Sequence, residues 1–262
     1  MILAIVRVPS TPDAFDRAAA ATGLSAADIR RRAAGVLPRV LMLDADAARM
    51  TMLRDELAIM GFTTVLVDPE QVPGDGDRVV ARLIEATVGG FVVHAGTGTT
   101  TRHEVPVAAL ELVQRGMRVM SEVRTTTTQE RKFAGGRALI SGGLVMTKKV
   151  QTTSTQREET REPFVLLQRW DGEPDIILYE HRLDYRGLGK EMQPTSRANL
   201  ELTLAKVRAA APAVPFDDRV VRPGFVQGLP ALGSVEPVDL ALHMVRVARP
   251  LEAKTQSVGY YR

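Results

Sequence analysis

Cysteine is absent from this 262-residue chain. That excludes disulfide staples, thiolate metal sites and a cysteine nucleophile. Aromatic residues make up only 5% of the chain, with a single tryptophan, while alanine is abundant, so the helices are expected to pack on small side chains. No run of about 18 apolar residues occurs, so no membrane-spanning helix is expected. The N-terminal run before Pro9 is too short for the apolar core of a secretion signal. A cytoplasmic protein is the default expectation. An excess of one charge is lacking too: 34 basic against 31 acidic residues leave a formal charge of +3. A dedicated nucleic-acid binder concentrates far more positive charge than this.

What is present begins with residues 2–8, an apolar run of strand length in which Arg7 is the only charge. Ser10, Thr11, Pro12 and Asp13 then supply helix-start chemistry. Phe15, Ala18 and Ala19 open an apolar face that Gly23 ends. Ser25 caps a second short helix, with Asp28 as an approximate capping-box partner. In that helix Ile29 and Ala33 face inward, and Arg30, Arg31 and Arg32 spread over the remaining arc. Residues 39–44 read as a strand. Met50, Leu53, Leu57 and Met60 mark a helical stripe, Gly61 closes it, and residues 63–68 form a third strand. The expected order is strand, helix, helix, strand, helix, strand. Asp44 and Asp46, just ahead of a helix, are read as capping residues rather than metal ligands.

This ordered set resembles the C-terminal domain of the bacterial ribosomal stalk protein and the related fold of the adaptor that delivers substrates to a Clp chaperone. Thr22-Gly23-Leu24, the basic helix running up to Pro38, the acidic helix start, and the helix ending at Leu57 before Gly61 carry the likeness, over about a quarter of the chain. The resemblance implies a small α+β domain at residues 1–70 whose basic helix face meets a partner protein. Leu24, Arg30, Arg31 and Arg32 are the contact candidates. The family's lysine-rich helix is arginine-rich here, so a binding module is expected rather than a stalk. Consecutive helical residues point about 100° apart, so the three arginines do not converge on one phosphate, and no aromatic platform lies beside them to stack bases.

Residues 71–78, rich in proline, glycine and acids, read as a linker to a β-rich domain at 79–211. Val79, Val80, Leu83 and Ile84 suggest a short helix, as do residues 105–116, closed by Gly116. Between them lies a hairpin carrying His94 and His103, a pair with no convincing third zinc ligand. Two further β runs join at Gly142-Gly143, near Arg131, Lys132, Lys148 and Lys149, with Glu158, Glu159 and Glu162 opposing their charge. Residues 163–185 form the clearest hairpin, turning at Asp171-Gly172. Trp170 beside that turn either covers a core edge or contacts a partner. Thr195 or Ser196 then caps a helix with Leu200, Leu204 and Val207 inward.

Several hairpins followed by one closing helix resemble a pleckstrin-homology-like layout, which implies binding of lipids, peptides or proteins. Residues 212–262 read as an extended C-terminal segment. Its one β-like run, residues 238–248, either wraps back on the body or pairs with another copy. The sequence therefore points to an α+β, non-enzymatic interaction, adaptor or scaffold protein, with no cofactor or metal and another protein as partner. A binder of nucleic acid or anionic membrane surfaces is the second class. A hydrolase using carboxylates or His94 and His103 is the third.

Overall fold

The apolar run at the N-terminus forms β1 (Ile2–Arg7), and it is buried on both faces. Unbroken burial of this kind needs a layer on each side. The structure is a computed structural model that describes residues 1–96, 100–133, 147–233 and 235–258. β2 (Arg39–Leu43) and β3 (Thr63–Val67) pair antiparallel with β1 on either side, giving the order β2-β1-β3. Leu3 and Ile5 face α1 (Asp13–Thr22), α2 (Ala26–Ala33) and α3 (Ala47–Ile59), packing with Ala18, Ile29 and Leu57. Gly23, at φ 72°, turns the chain out of α1 in the left-handed conformation that glycine adopts without a steric penalty. Ser25 caps α2 by accepting from the Asp28 N–H, and Asp46 caps α3 by accepting from the Arg49 N–H. Strand, helix, helix, strand, helix, strand is the order observed.

The second sheet holds β4 (Val79–Thr87), β5 (Gly90–Ala95), β6 (Thr101–Pro106), β7 (Leu110–Phe133), β8 (Thr147–Arg169), β9 (Ile176–Tyr179) and β10 (Phe216–Asp217), in the order β10-β7-β8-β9-β4-β5-β6. Side chains alternate between its faces. Val165, Leu167, Ile176 and Leu178 meet Leu200, Leu204 and Val207 of α4 (Ser196–Ala210). Phe164, Leu166, Ile177 and Tyr179 meet Val238, Ala241, Leu242 and Val245 of α5 (Pro237–Val258). The opposite side of α5 carries Leu240, Met244 and Ala248, which pack on Ile2, Ala4, Val6 and Val65 of the first sheet. One helix thus fills the space between two sheets, and the layers run helices, sheet, α5, sheet, α4.

These layers belong to one compact unit, Met1–Met117 with Pro163–Arg262, so residues on both sides of the 71–78 stretch share it. The second unit, Arg118–Glu162, holds the remaining lengths of β7 and β8, on which Arg131, Lys132, Lys148 and Lys149 lie. The Gly142-Gly143 turn falls outside the described residues.

Three expectations are corrected. Residues 79–87 form β4 rather than a helix. An irregularity between Ala81 and Leu83 resets the alternation, so that Val79, Ala81 and Ile84 all pack on one core and imitate helical spacing. Residues 107–116 form a 3₁₀ turn (Val107–Ala109) and the start of β7. Gly116 does not end a helix; it leaves room for the Phe164 ring, which a Cβ would approach to 2.0 Å. Residues 237–258 of the C-terminal segment form α5 rather than an extended arm. Its β-like run is the buried half of α5, because residues that alternate in sequence also fall on two opposite helical stripes, as a helix buried on both sides requires. Residues 240–242 and 244–245 of that run are buried within the chain, while His243, Arg246 and Val247 are partly exposed. The seven-stranded sheet also contains two parallel pairs, β4 with β9 and β7 with β10, where a pleckstrin-homology-like layout leads one to expect consecutive hairpins. Among the described residues no helix is long and apolar enough to cross a membrane.

Candidate interaction surface

The arginine triplet lies on α2, and each member is engaged within the chain. Arg30 stacks over the Phe15 ring at 5.1 Å and sits 3.7 Å from Asp16. Arg31 reaches Asp28 at 2.5 Å. Asp28 also accepts from the Ser25 hydroxyl, and that bond together with Arg31 and Arg32 holds its carboxyl below the usual carboxylate range. Arg32 is half-buried and donates to the Leu41 carbonyl of β2, an edge strand. Leu24 is half-buried and packs against the core that α1, α2 and α3 share with β1. The three guanidiniums therefore point to three different partners and form no single patch.

Trp170 is placed differently. Its main-chain N–H donates to Ala109 and its indole Nε1 donates to Ala108 at 2.7 Å, yet the residue stays 65% exposed. The β8–β9 turn that carries it is tied by side-chain bonds. Arg169 forks onto Asp171 at 3.0 and 2.5 Å, which holds the Asp171 carboxyl below its usual range, and the Arg169 N–H donates to Asp175. Gly172 closes the turn at φ 84°. The Val107 N–H donates to Gly89, so the β4–β5 turn with its fully exposed Val88 borders the same 3₁₀ turn. Pro106 is exposed beside it. A groove of about 780 Å³ opens at this end of the sheet, lined by the β4–β5 turn, by β6 from Arg102 to Pro106, and by Arg169, Asp171 and Glu173.

The two histidines do not form a site. His103 lies opposite Val93 in the β5–β6 ladder, and His94 is the residue next to Val93, so the imidazoles project from opposite faces of the sheet. His94 instead pairs with Glu85 across the ladder at 3.5 Å. Asp44 accepts from the Asp46 N–H, the first cause of its lowered pKa, and it binds Arg49 at 2.8 Å, so both aspartates serve the start of α3. Among the described residues no cluster of three potential metal ligands occurs.

What the sequence did not disclose is a polar seam along α5. Arg78 binds Asp239 at 2.5 Å with both side chains buried, and it also reaches the Pro73 carbonyl. Arg246 donates to Glu111 at 2.8 Å, to Asp175 at 3.4 Å and to the Arg169 carbonyl at 2.5 Å. Burial pushes the Asp175 carboxyl up, and burial together with Arg246 and Arg78 pushes the His243 imidazole down. Near the other end of α5, Arg219 joins Asp217, Glu252 and the Leu37 carbonyl. Burial opposes the charge on Arg219, but the two carboxylates outweigh it and raise its pKa. Apart from Asp217, two positions from Arg219, and Pro73, five from Arg78, these partners sit at least 33 positions away in sequence, so local spacing did not announce them. The seam fixes the register of α5 against its neighbours.

Comparisons with protein-family models, with curated proteins and with solved structures returned no match.

Proposed function

We propose that this chain is a non-enzymatic protein-interaction module, an adaptor or scaffold, that docks a partner protein at the Trp170 end of its seven-stranded sheet. The observation that carries this reading is the state of Trp170, fixed by two hydrogen bonds and exposed all the same. A large aromatic held in place before binding loses little side-chain entropy when it is covered, and tryptophan is enriched at interface hot spots. Val88 and Pro106 are exposed on either side of the bond that joins the β4–β5 turn to the 3₁₀ turn on which Trp170 rests. The groove alongside offers Arg102, Glu104 and Glu173 for a polar rim.

A stalk-like docking face on α2 is the second reading. The strand and helix order and the capped basic helix favour it as a scaffold, although a scaffold by itself does not fix a function. It leaves Arg30 and Arg31, whose ion pairs are exposed, as the contact residues, while Arg32 is committed to Leu41. A hydrolase reading needs a base within reach of a nucleophile, and the placement of His94 and His103 on opposite faces gives it no support.

The test is affinity capture on the full chain with three baits: wild type, W170A and R30E/R31E. A specific protein partner lost with W170A and kept with R30E/R31E supports docking at Trp170. Loss with R30E/R31E alone moves the interface to α2. Thermal melts of the three baits must coincide for the comparison to stand.

A further inference from the structure

We propose that β6 pairs antiparallel with β6 of a second copy of this chain, about a two-fold axis through His103. β6 ends the strand order of the seven-stranded sheet, and β5 is its only strand neighbour among the described residues. The bond from the Val107 N–H to Gly89 sets the phase of the β5–β6 ladder. In an antiparallel pair, residues alternate between directing their main-chain groups to the partner strand and directing them away. Thr101, His103 and Val105 therefore address β5, and Arg102 and Glu104 present their N–H and C=O groups at the free edge. Pro106 falls in the outward phase, where its missing N–H costs the ladder no bond.

That phase restricts how two copies can meet, because outward residues must pair with outward residues. Three registers that pair these charged residues with one another satisfy this condition. One sets Arg102 against the partner's Arg102, and one sets Glu104 against the partner's Glu104. Like charges directly opposite each other are destabilising. The third sets Arg102 against the partner's Glu104 and Glu104 against the partner's Arg102, with Thr101 opposite the partner's Val105. Only this register pairs opposite charges, and it does so twice, as an isologous two-fold interface must.

Within one chain Arg102 and Glu104 form an exposed pair at 3.0 Å. Dimer formation thus exchanges a pair within the strand for pairs across strands and strands no charge. Dimerisation shares Arg102 and Glu104 with the rim of the docking surface proposed above, and W170A, which leaves β6 intact, separates the two readings.

The experiment is sedimentation velocity on the full chain over about a hundredfold concentration range, with R102E, E104R and the double variant R102E/E104R. The wild type is expected to show a concentration-dependent dimer. Each single reversal creates two like-charge contacts per dimer and is expected to weaken association about tenfold or more. The double variant exchanges the charges and is expected to restore the wild-type constant. A wild type that stays monomeric overturns the proposal and makes the two charges a guard against edge pairing. A dimer indifferent to the single reversals, or one that the double variant fails to restore, overturns it as well. Both side chains are exposed, so circular dichroism is expected to find all four proteins equally folded.

Discussion

Arg78 and Asp239 stand 161 positions apart in the chain and 2.5 Å apart in the fold, with 2% and 4% of their side chains exposed. Their pair ties the entry of β4 to the first turn of α5, the helix on which both sheets rest.

Removing Asp239 takes away the shortest ion pair of a buried guanidinium and leaves it Asp75 at 3.4 Å and the Pro73 carbonyl. D239A is expected to destabilise the fold by about 3–5 kcal/mol, measured by urea unfolding. Replacing both residues by apolar ones, as in R78M/D239L, is expected to recover most of that loss.

Gly116 supports a second prediction. G116A would place a methyl group 2.0 Å from the Phe164 ring, and forcing the ring aside is expected to cost about 1–3 kcal/mol. The double variant G116A/F164L, which shortens the obstructing side chain, is expected to be more stable than G116A in the same unfolding assay.

His243 gives the fold a pH dependence of known sign. Burial, with Arg246 and Arg78 nearby, lowers its folded pKa below the unfolded value of 6.5, against a smaller opposing effect of Glu111. Below 6.5 the unfolded chain binds a proton that the folded chain resists, so this contribution is complete above 6.5 and is lost as the pH falls towards the folded pKa. The slope in that window is at most about 1.4 kcal/mol per pH unit. Thermal melts between pH 8 and 5 are expected to show it, and H243Q is expected to flatten it.

The arginine triplet should divide by role. Arg32 satisfies a main-chain carbonyl at the β2 edge, so R32A is expected to cost about 1 kcal/mol in urea unfolding. R31A removes an exposed pair with Asp28 and is expected to leave stability unchanged within error.

The N-terminal layers were legible because each element carries its own local signal. Ser25 and Asp46 cap helices, Gly23 ends one, and short strands alternate with amphipathic helices. The hairpin at Asp171-Gly172 was legible for the same reason. α5 was not, because Val238, Leu240, Leu242 and Met244 alternate like a strand, and only tertiary packing reveals that two sheets cover two sides of one helix. β4 was misread because its irregularity breaks the two-residue period. Of the candidate contact residues, Trp170 was legible as a residue beside a turn, but its fixing to Ala108 lies 62 positions away in sequence. The arginines were visible as charge. The aromatic ring, carboxylates and carbonyl that engage them were not.

The central claim is that a partner covers the Trp170 end of the sheet. Hydrogen–deuterium exchange on the full chain, alone and with the protein captured by it, tests this most directly. Docking there is expected to slow exchange in segments 86–91, 104–109 and 169–173, the turns that meet around the indole. Protection confined to residues 24–33 on α2, with those three segments unchanged, would contradict it.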